Sequence, residues 1–310
     1  MRKFLPLGLC ILLLMVVFAG CAGEQQPSSS DEDEPEVDSN WPVTVGSVSV
    51  QSQPERVLSL SPSLTEILYA LGLQEGLTGR SDYCDYPLEV EGLPTAGTAA
   101  APDIRFIIAL SPQYILTQSP LAQMDLKKLE EAGIDVIHLP RAESLEGVYD
   151  LYRQLFLFFQ GAEDGVAAGE KYVEGFRGEI EALAADIPTV DMAYSVLYYV
   201  GVQNAGATPD TFEGELLQLL KLQNVAQARD WYYDFELLAE DDPDYIIAAS
   251  NVVIDELADE ETFASLKAVE LGHVISVNHI AFERQSPRIL LELKGIADRI
   301  YRMEVDGDSD

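Results

Sequence analysis

Apolar and polar positions change rhythm several times along the chain. Residues 5–19 are an apolar run led by Arg2 and Lys3. A run of that length behind two positive charges is the core of a secretory signal, and too short for a comfortable membrane span. Residues 22–40 then hold Glu, Gln, Pro, Ser and Asp with almost nothing apolar; seven are acidic and none is basic. Such a segment cannot bury enough surface to order itself, and its charges extend it. From residue 54 onward short apolar runs alternate with helical spacings. Residues 56–60 (Arg-Val-Leu-Ser-Leu) predict a strand. Ser63-Leu64-Thr65-Glu66 has the spacing of a capping box, which opens a helix over 64–71 that stops at Gly72. Residues 114–117 and 134–139 predict further strands, with Leu126, Leu129 and Ala132 at helical spacing between them. Strands alternating with helices predict parallel sheets covered on both faces, an α/β fold.

The pattern repeats. Shifting the chain by 131 residues aligns Asp103, Pro112 and Tyr114 with Asp234, Pro243 and Tyr245. In both copies a short helix runs into a proline turn and then a buried strand that ends at a serine, Ser119 or Ser250. Each is followed by a helix, a glycine (Gly133, Gly272) and another apolar strand. The economical reading is two α/β lobes, each of three layers, built on one plan. Between them, Leu145, Val148, Leu151, Tyr152, Leu155, Phe158 and Phe159 keep helical spacing, as do Tyr172, Phe176, Ile180 and Leu183. A long helical connector broken near Gly161 and Gly165 is expected. A stiff connector predicts lobes that rock slightly rather than close fully. The expected organisation is a signal over 1–20, a tether over 21–53, a lobe over 54–142, connecting helices over 143–187 and a second lobe over 188–310.

Charge narrows the partners. With 19 basic and 53 acidic residues the formal net charge is -34, which repels phosphate backbones and excludes nucleic acid as a partner. The acidity also fits a salty habitat. Three cysteines are present. Cys10 leaves with the signal. Phe18-Ala19-Gly20-Cys21 resembles a bacterial-type lipobox, with Phe18 in place of the usual leucine, so Cys21 is expected to be lipidated; an ordinary signal peptide that contains a cysteine is the alternative. Cys84 then stands alone, without a disulfide or a cysteine-based metal site. A lipid-modified Cys21 would anchor an extracytoplasmic body to the cell membrane.

Catalytic patterns are absent: the chain has no G-x-G-x-x-G, P-loop or G-x-S-x-G sequence. A binding protein is expected rather than an enzyme. His138, His273 and His279 are the only histidines, and together with a carboxylate they could supply a zinc-capturing cluster. His138 and His273 border apolar strands, which favours structural roles.

Three segments carry a family likeness: residues 56–66, Asp82-Tyr83-Cys84-Asp85-Tyr86-Pro87, and Phe282-Glu283-Arg284-Gln285-Ser286-Pro287-Arg288. They resemble the cobalamin-binding proteins of ABC importers, within a wider group that takes ferric siderophores, haem and cobalamin (class III). The likeness spans about residues 54–302. It implies two lobes joined by a long helix, a corrinoid held between them as transported ligand rather than cofactor, and delivery to an ABC permease by a monomer. With the aromatic residues that flank Cys84-Asp85 and follow Asp230, it leads to ligand contacts expected at Tyr83, Tyr86, Trp231, Phe282 and Arg284; the alternatives are that Tyr83, Tyr86 and Trp231 only pack on the lobe surfaces and that Arg284 and Arg288 only pair with Glu283 or Glu292. It places permease docking at Glu236 on the second lobe and at Arg105, or the nearby Asp103, on the first. No metal site belonging to the protein is implied. Departures exist too. Ala99 and Gln118 stand where enteric members have tryptophans, Ile280 where they have an aspartate, and Lys221-Leu222 where they have two glycines. Cobalamin is large and mostly neutral, so aromatic faces with scattered polar groups are expected around it. The rivals are a ferric siderophore or haem carrier and, in another class, a tethered enzyme or adhesion module.

Overall fold

The structure, a computed structural model, describes residues 39–302. The expected signal, the lipid-bearing Cys21 and most of the acidic spacer lie outside the described residues. The described chain begins with a hairpin, β1 (Val43–Val45) and β2 (Val48–Val50), turned at Gly46 with φ of 59°. This corrects the expected tether, which ran to residue 53. Residues 43–50 read Val-Thr-Val-Gly-Ser-Val-Ser-Val, an alternation that puts valines on one face. Val43, Val45 and Val50 are buried in the main core.

The first lobe holds β3 (Val57–Ser59), β4 (Leu77–Arg80), β5 (Tyr114–Thr117) and β6 (Asp135–His138), all parallel, in the order β4-β3-β5-β6. Its helices are α1 (Pro62–Leu71), α2 (Ile104–Leu110) and α3 (Gln123–Glu131). α1 starts earlier than expected. Ser61, not Ser63, caps it by accepting from the Leu64 N–H at 3.2 Å, and Pro62 takes the first helical position, where its missing N–H costs nothing. Glu66 is therefore not a capping residue and is free for other work.

The connector is a helical hairpin. α4 (Leu145–Gln160) and α5 (Val166–Asp186) are separated by one π-helical turn over Gly161–Gly165. The two helices run antiparallel, tied by Arg177–Glu146 at 2.7 Å and Arg153–Glu170 at 3.0 Å. They approach closely at Gly165, where a Cβ would lie 2.5 Å from the Phe156 carbonyl. α5 alone, about 30 Å long at 1.5 Å per residue, carries the chain into the second lobe.

That lobe holds β7 (Ser195–Tyr199), β8 (Gln223–Asn224), β9 (Tyr245–Ala249) and β10 (Val274–Val277), again parallel, in the order β10-β9-β7-β8. Helices α6 (Phe212–Leu219), α7 (Leu238–Asp241), α8 (Ile254–Leu257), α9 (Lys267–Glu270), α10 (His279–Glu283) and α11 (Ile289–Arg302) complete it. In each lobe the first strand lies between the second and third, with the fourth outside, so the two lobes share one topology. The repeat extends to backbone detail. Asp103 and Asp234 each cap the helical segment that follows. Ser111 and Asp242, one residue before each proline, have φ of 50° and 34°. Proline disfavours right-handed helical backbone at the residue before it, and both helices stop there in the left-handed conformation.

One continuous core runs from β3 and α1 through Tyr152, Phe158 and Phe176 of the connector to Tyr198, Phe282 and Leu293 of the second lobe. Two smaller clusters cover the outer face of each sheet. The sheets are thus layered between helices, as the alternation predicts.

Candidate functional site

In open parallel sheets, ligands gather beyond the carboxyl ends of the strands. Here those ends meet between the lobes. Leu60 to Ser63, just past β3, and Gln118 and Ser119, just past β5, form one wall of a cleft of about 400 Å³. His279, Ile280 and Glu283 of α10 and Arg284 just after it form the other, with Arg141 at its edge. Short caps hold both walls in place. The Ser61 side chain that caps α1 also donates to Gln118 Oε1 at 2.9 Å, and Asn278 caps α10 through the Ala281 N–H at 3.2 Å.

A polar network joins the lobes beside this cleft. Glu66 of α1 is 1% exposed and receives Arg284 Nη1 at 3.2 Å, Arg288 Nε at 2.9 Å, Arg288 Nη2 at 2.8 Å and the Ser286 hydroxyl. A carboxylate this deep persists only when charge and hydrogen bonds compensate it. Arg284 also reaches Asp85 at 2.8 Å. Gln285, with φ of 60°, exchanges two hydrogen bonds with the Ala142 backbone and accepts the Tyr152 hydroxyl at its own carbonyl, 2.7 Å away.

Arg141 ties the same loop to α6. It donates to the Glu283 carbonyl at 3.1 Å and pairs with the fully buried Glu213. Burial pushes the Glu213 carboxyl above the ordinary carboxylate range, and Arg141 only partly offsets this. The Tyr198 hydroxyl donates to Glu283 at 3.1 Å, and burial first, then the nearby Glu283 and Glu213 charges, raise its pKa strongly.

The five expected ligand contacts separate into three places. Arg284 lines the cleft, with both its carboxylate partners already in hand. Tyr83, 69% exposed, and Tyr86, 42% exposed, sit on the loop that Asp85 pins to Arg284. Tyr86 does not line the cleft: its ring lies under the Arg288 guanidinium at 3.9 Å and borders a separate groove with Tyr69 and Leu291. Phe282 is a correction. It is fully buried, stacked on Tyr198 at 5.1 Å, because α10 turns this side chain into the core while Glu283 and Arg284 face the cleft. Trp231 is half-buried against the same Tyr198 at 6.3 Å, with its backbone N–H on Thr208. In place of the expected aromatic walls the cleft has aliphatic, hydroxyl and amide groups, the His279 imidazole and the charged Arg141, Glu283 and Arg284.

Ser61, Ser119 and Glu66 are outside the expected site residues, and His279, expected only as part of a zinc-capturing cluster, lines the cleft wall. The end-of-strand position of Ser119, visible in the repeat, is the available signal; Gln118 stands out in the sequence only as a departure. The histidines do not cluster. His138 binds the Gln118 carbonyl at 3.1 Å, His273 stacks on Tyr245 at 4.6 Å, and His279 meets Ser250. Among the described residues no group of three or more His, Cys, Asp or Glu side chains is placed to hold a metal ion. Arg105 and Glu236 occupy equivalent places, each exposed and two residues past the capping aspartate of its lobe. Asp103 is the cap itself, accepting from Phe106 N–H at 3.0 Å. No described helix is long and apolar enough to cross a membrane.

Known proteins resemble this chain in sequence and in fold. An uncharacterised ABC transporter substrate-binding lipoprotein of Bacillus subtilis, YvrC, is 26% identical over 97% of this chain and 98% of its own length. A cobalamin-binding protein of Halobacterium salinarum is 24% identical over 95% of this chain and 83% of its own. Among solved structures, the periplasmic haem-binding protein HutB of Vibrio cholerae superposes with a TM-score of 0.69 at 20% identity, over 79% of this chain and 98% of that one. The sequence model of the periplasmic binding protein family matches residues 57–280, the span from β3 to α10, and the chain belongs to that family, the substrate-binding proteins of ABC importers.

Proposed function

We propose that this chain captures a corrinoid, cobalamin or a close analogue, in the interlobe cleft and delivers it to an ABC permease. The observation that carries the choice of ligand is electrostatic. Both arginines of the cleft are already compensated, Arg284 by Glu66 and Asp85 and Arg141 by Glu213. A ligand with carboxylates, such as haem, or an anionic ferric siderophore would need unpaired cations and would meet a body of strongly negative net charge. A mostly neutral macrocycle with an amide fringe needs hydroxyl, amide and aliphatic partners, which Ser61, Ser119, Gln118 and Ile280 offer. The cobalamin-binding protein named among the relatives supports the same reading. Haem capture is the second reading, supported by the haem-binding structural neighbour.

In this account the body is extracytoplasmic, anchored through lipid on Cys21, works as a monomer, and has no enzymatic step. Glu236 meets the permease on the second lobe, and Arg105 or Asp103 on the first. Parallel absorbance titrations with cyanocobalamin and haemin test the ligand, since each has its own spectrum.

A further inference from the structure

Ser250 ends β9 as Ser119 ends β5, and the sequence repeat pairs the two. Ser119 lines the cleft, whereas the Ser250 hydroxyl lies 2.9 Å from His279 Nδ1. His279 is the one histidine on the cleft wall; His138 and His273 are bound to backbone carbonyls elsewhere. The Ser250–His279 contact accommodates the tautomer in which Nδ1–H donates to Ser250 Oγ, and in that tautomer Nε2 carries a lone pair. No protein group meets that nitrogen among the hydrogen bonds and ion pairs of the described residues. A second-atom hydrogen bond that fixes tautomer and ring direction is the usual support of a metal-ligating histidine.

From this pair we infer that His279 Nε2 is an axial donor to the metal at the centre of a bound tetrapyrrole, positioned by Ser250. The inference rests on the corrinoid reading and goes beyond it, because it selects among corrinoids. The step is a ligand exchange. A labile water leaves the cobalt for solvent, the Nε2 lone pair takes its place, and neither proton nor oxidation state changes. Corrinoids with an exchangeable axial position are thereby preferred over those whose two axial positions are filled by strong ligands.

The test uses the full chain in detergent and two probes, aquocobinamide, whose axial waters exchange, and dicyanocobinamide, whose axial cyanides block both faces. The wild-type protein is expected to shift the visible absorption bands of aquocobinamide on binding and to bind it more tightly than the dicyano form. His279→Ala should abolish the shift and the preference while still binding dicyanocobinamide, which shows that it folds. Ser250→Ala should keep the shift but weaken aquocobinamide binding by about tenfold, the lower end of what losing such a support costs a metal site. An unshifted spectrum of bound aquocobinamide in the wild type, or the same shift in His279→Ala, overturns the axial role and leaves the corrinoid reading standing. Binding of neither probe overturns both.

Discussion

Glu66 and Arg288, 222 residues apart, meet in a two-point ion pair with N–O distances of 2.9 and 2.8 Å. One belongs to the first lobe and the other to the turn leading into α11 of the second, so the pair ties the two lobes together. Arg284 and Ser286 converge on the same carboxylate. Removing the buried acid leaves two largely buried guanidinium groups without it. Glu66→Ala is expected to lower unfolding stability by about 3–5 kcal/mol, the range for breaking a buried pair from one side. Urea denaturation of the variant and the wild type measures it, and a loss under about 1 kcal/mol would show that solvent already carries these charges.

Glu213 gives stability a dependence on pH. Its carboxyl sits above the ordinary value in the folded chain, chiefly through burial. A raised carboxyl pKa means that the fold favours the protonated form. Its contribution is therefore full below the unfolded value near 4.5 and is lost as pH rises through the higher folded value. Glu213→Gln cannot titrate, so the stability difference between wild type and variant should move in favour of the wild type as pH falls across that window. Thermal unfolding at a series of pH values follows it; parallel curves would mean that Arg141 fully compensates the charge.

The N-terminal hairpin belongs to the folded body. Val43, Val45 and Val50 each lie buried in the main core, and fully burying a valine is worth about 1.5–3 kcal/mol. A chain starting at residue 54 should therefore lose several kcal/mol and tend to aggregate, while one starting at residue 39 should fold as a monomer. Size-exclusion chromatography and denaturation of the two separate the outcomes. Equal behaviour would return the hairpin to the tether.

How much of the fold is legible in the sequence depends on the scale of the signal. The two-lobe plan, the proline turns after Ser111 and Asp242 and the break at Gly161–Gly165 follow from periodicities that local backbone chemistry enforces. The hairpin escapes notice because two three-residue strands beside a long acidic run make a faint alternation. Glu66 is easily mistaken for a capping residue because an S-x-x-E spacing marks a helix start at Ser63, and only the fold shows that Ser61 takes the cap. The partners of Glu66 lie more than 200 positions away, where no local pattern reaches. Phe282 sits in the motif beside Glu283 and Arg284, and on a short helix adjacent residues point to different surroundings.

Glu236 is exposed and makes no ion pair with a neighbouring side chain among the salt bridges of the described residues. Its reversal to arginine should leave ligand affinity within about 0.5 kcal/mol, as for a surface change away from the cleft. Uptake through the cognate importer should nevertheless fall sharply, because rim charges orient encounter complexes. Transport into vesicles carrying the permease measures it. Normal uptake by a well-expressed Glu236→Arg protein would take Glu236 out of the docking surface.

The identity of the ligand is the claim on which the rest depends, and calorimetry of the purified protein with cyanocobalamin, beside haemin at the same concentrations, tests it most directly. Compensated arginines in the cleft predict a submicromolar dissociation constant for the corrinoid, a binding free energy of about -8 kcal/mol or stronger, and weaker binding of haemin. Tight binding of haemin, with no heat from cyanocobalamin or other corrinoids at micromolar concentration, would contradict it.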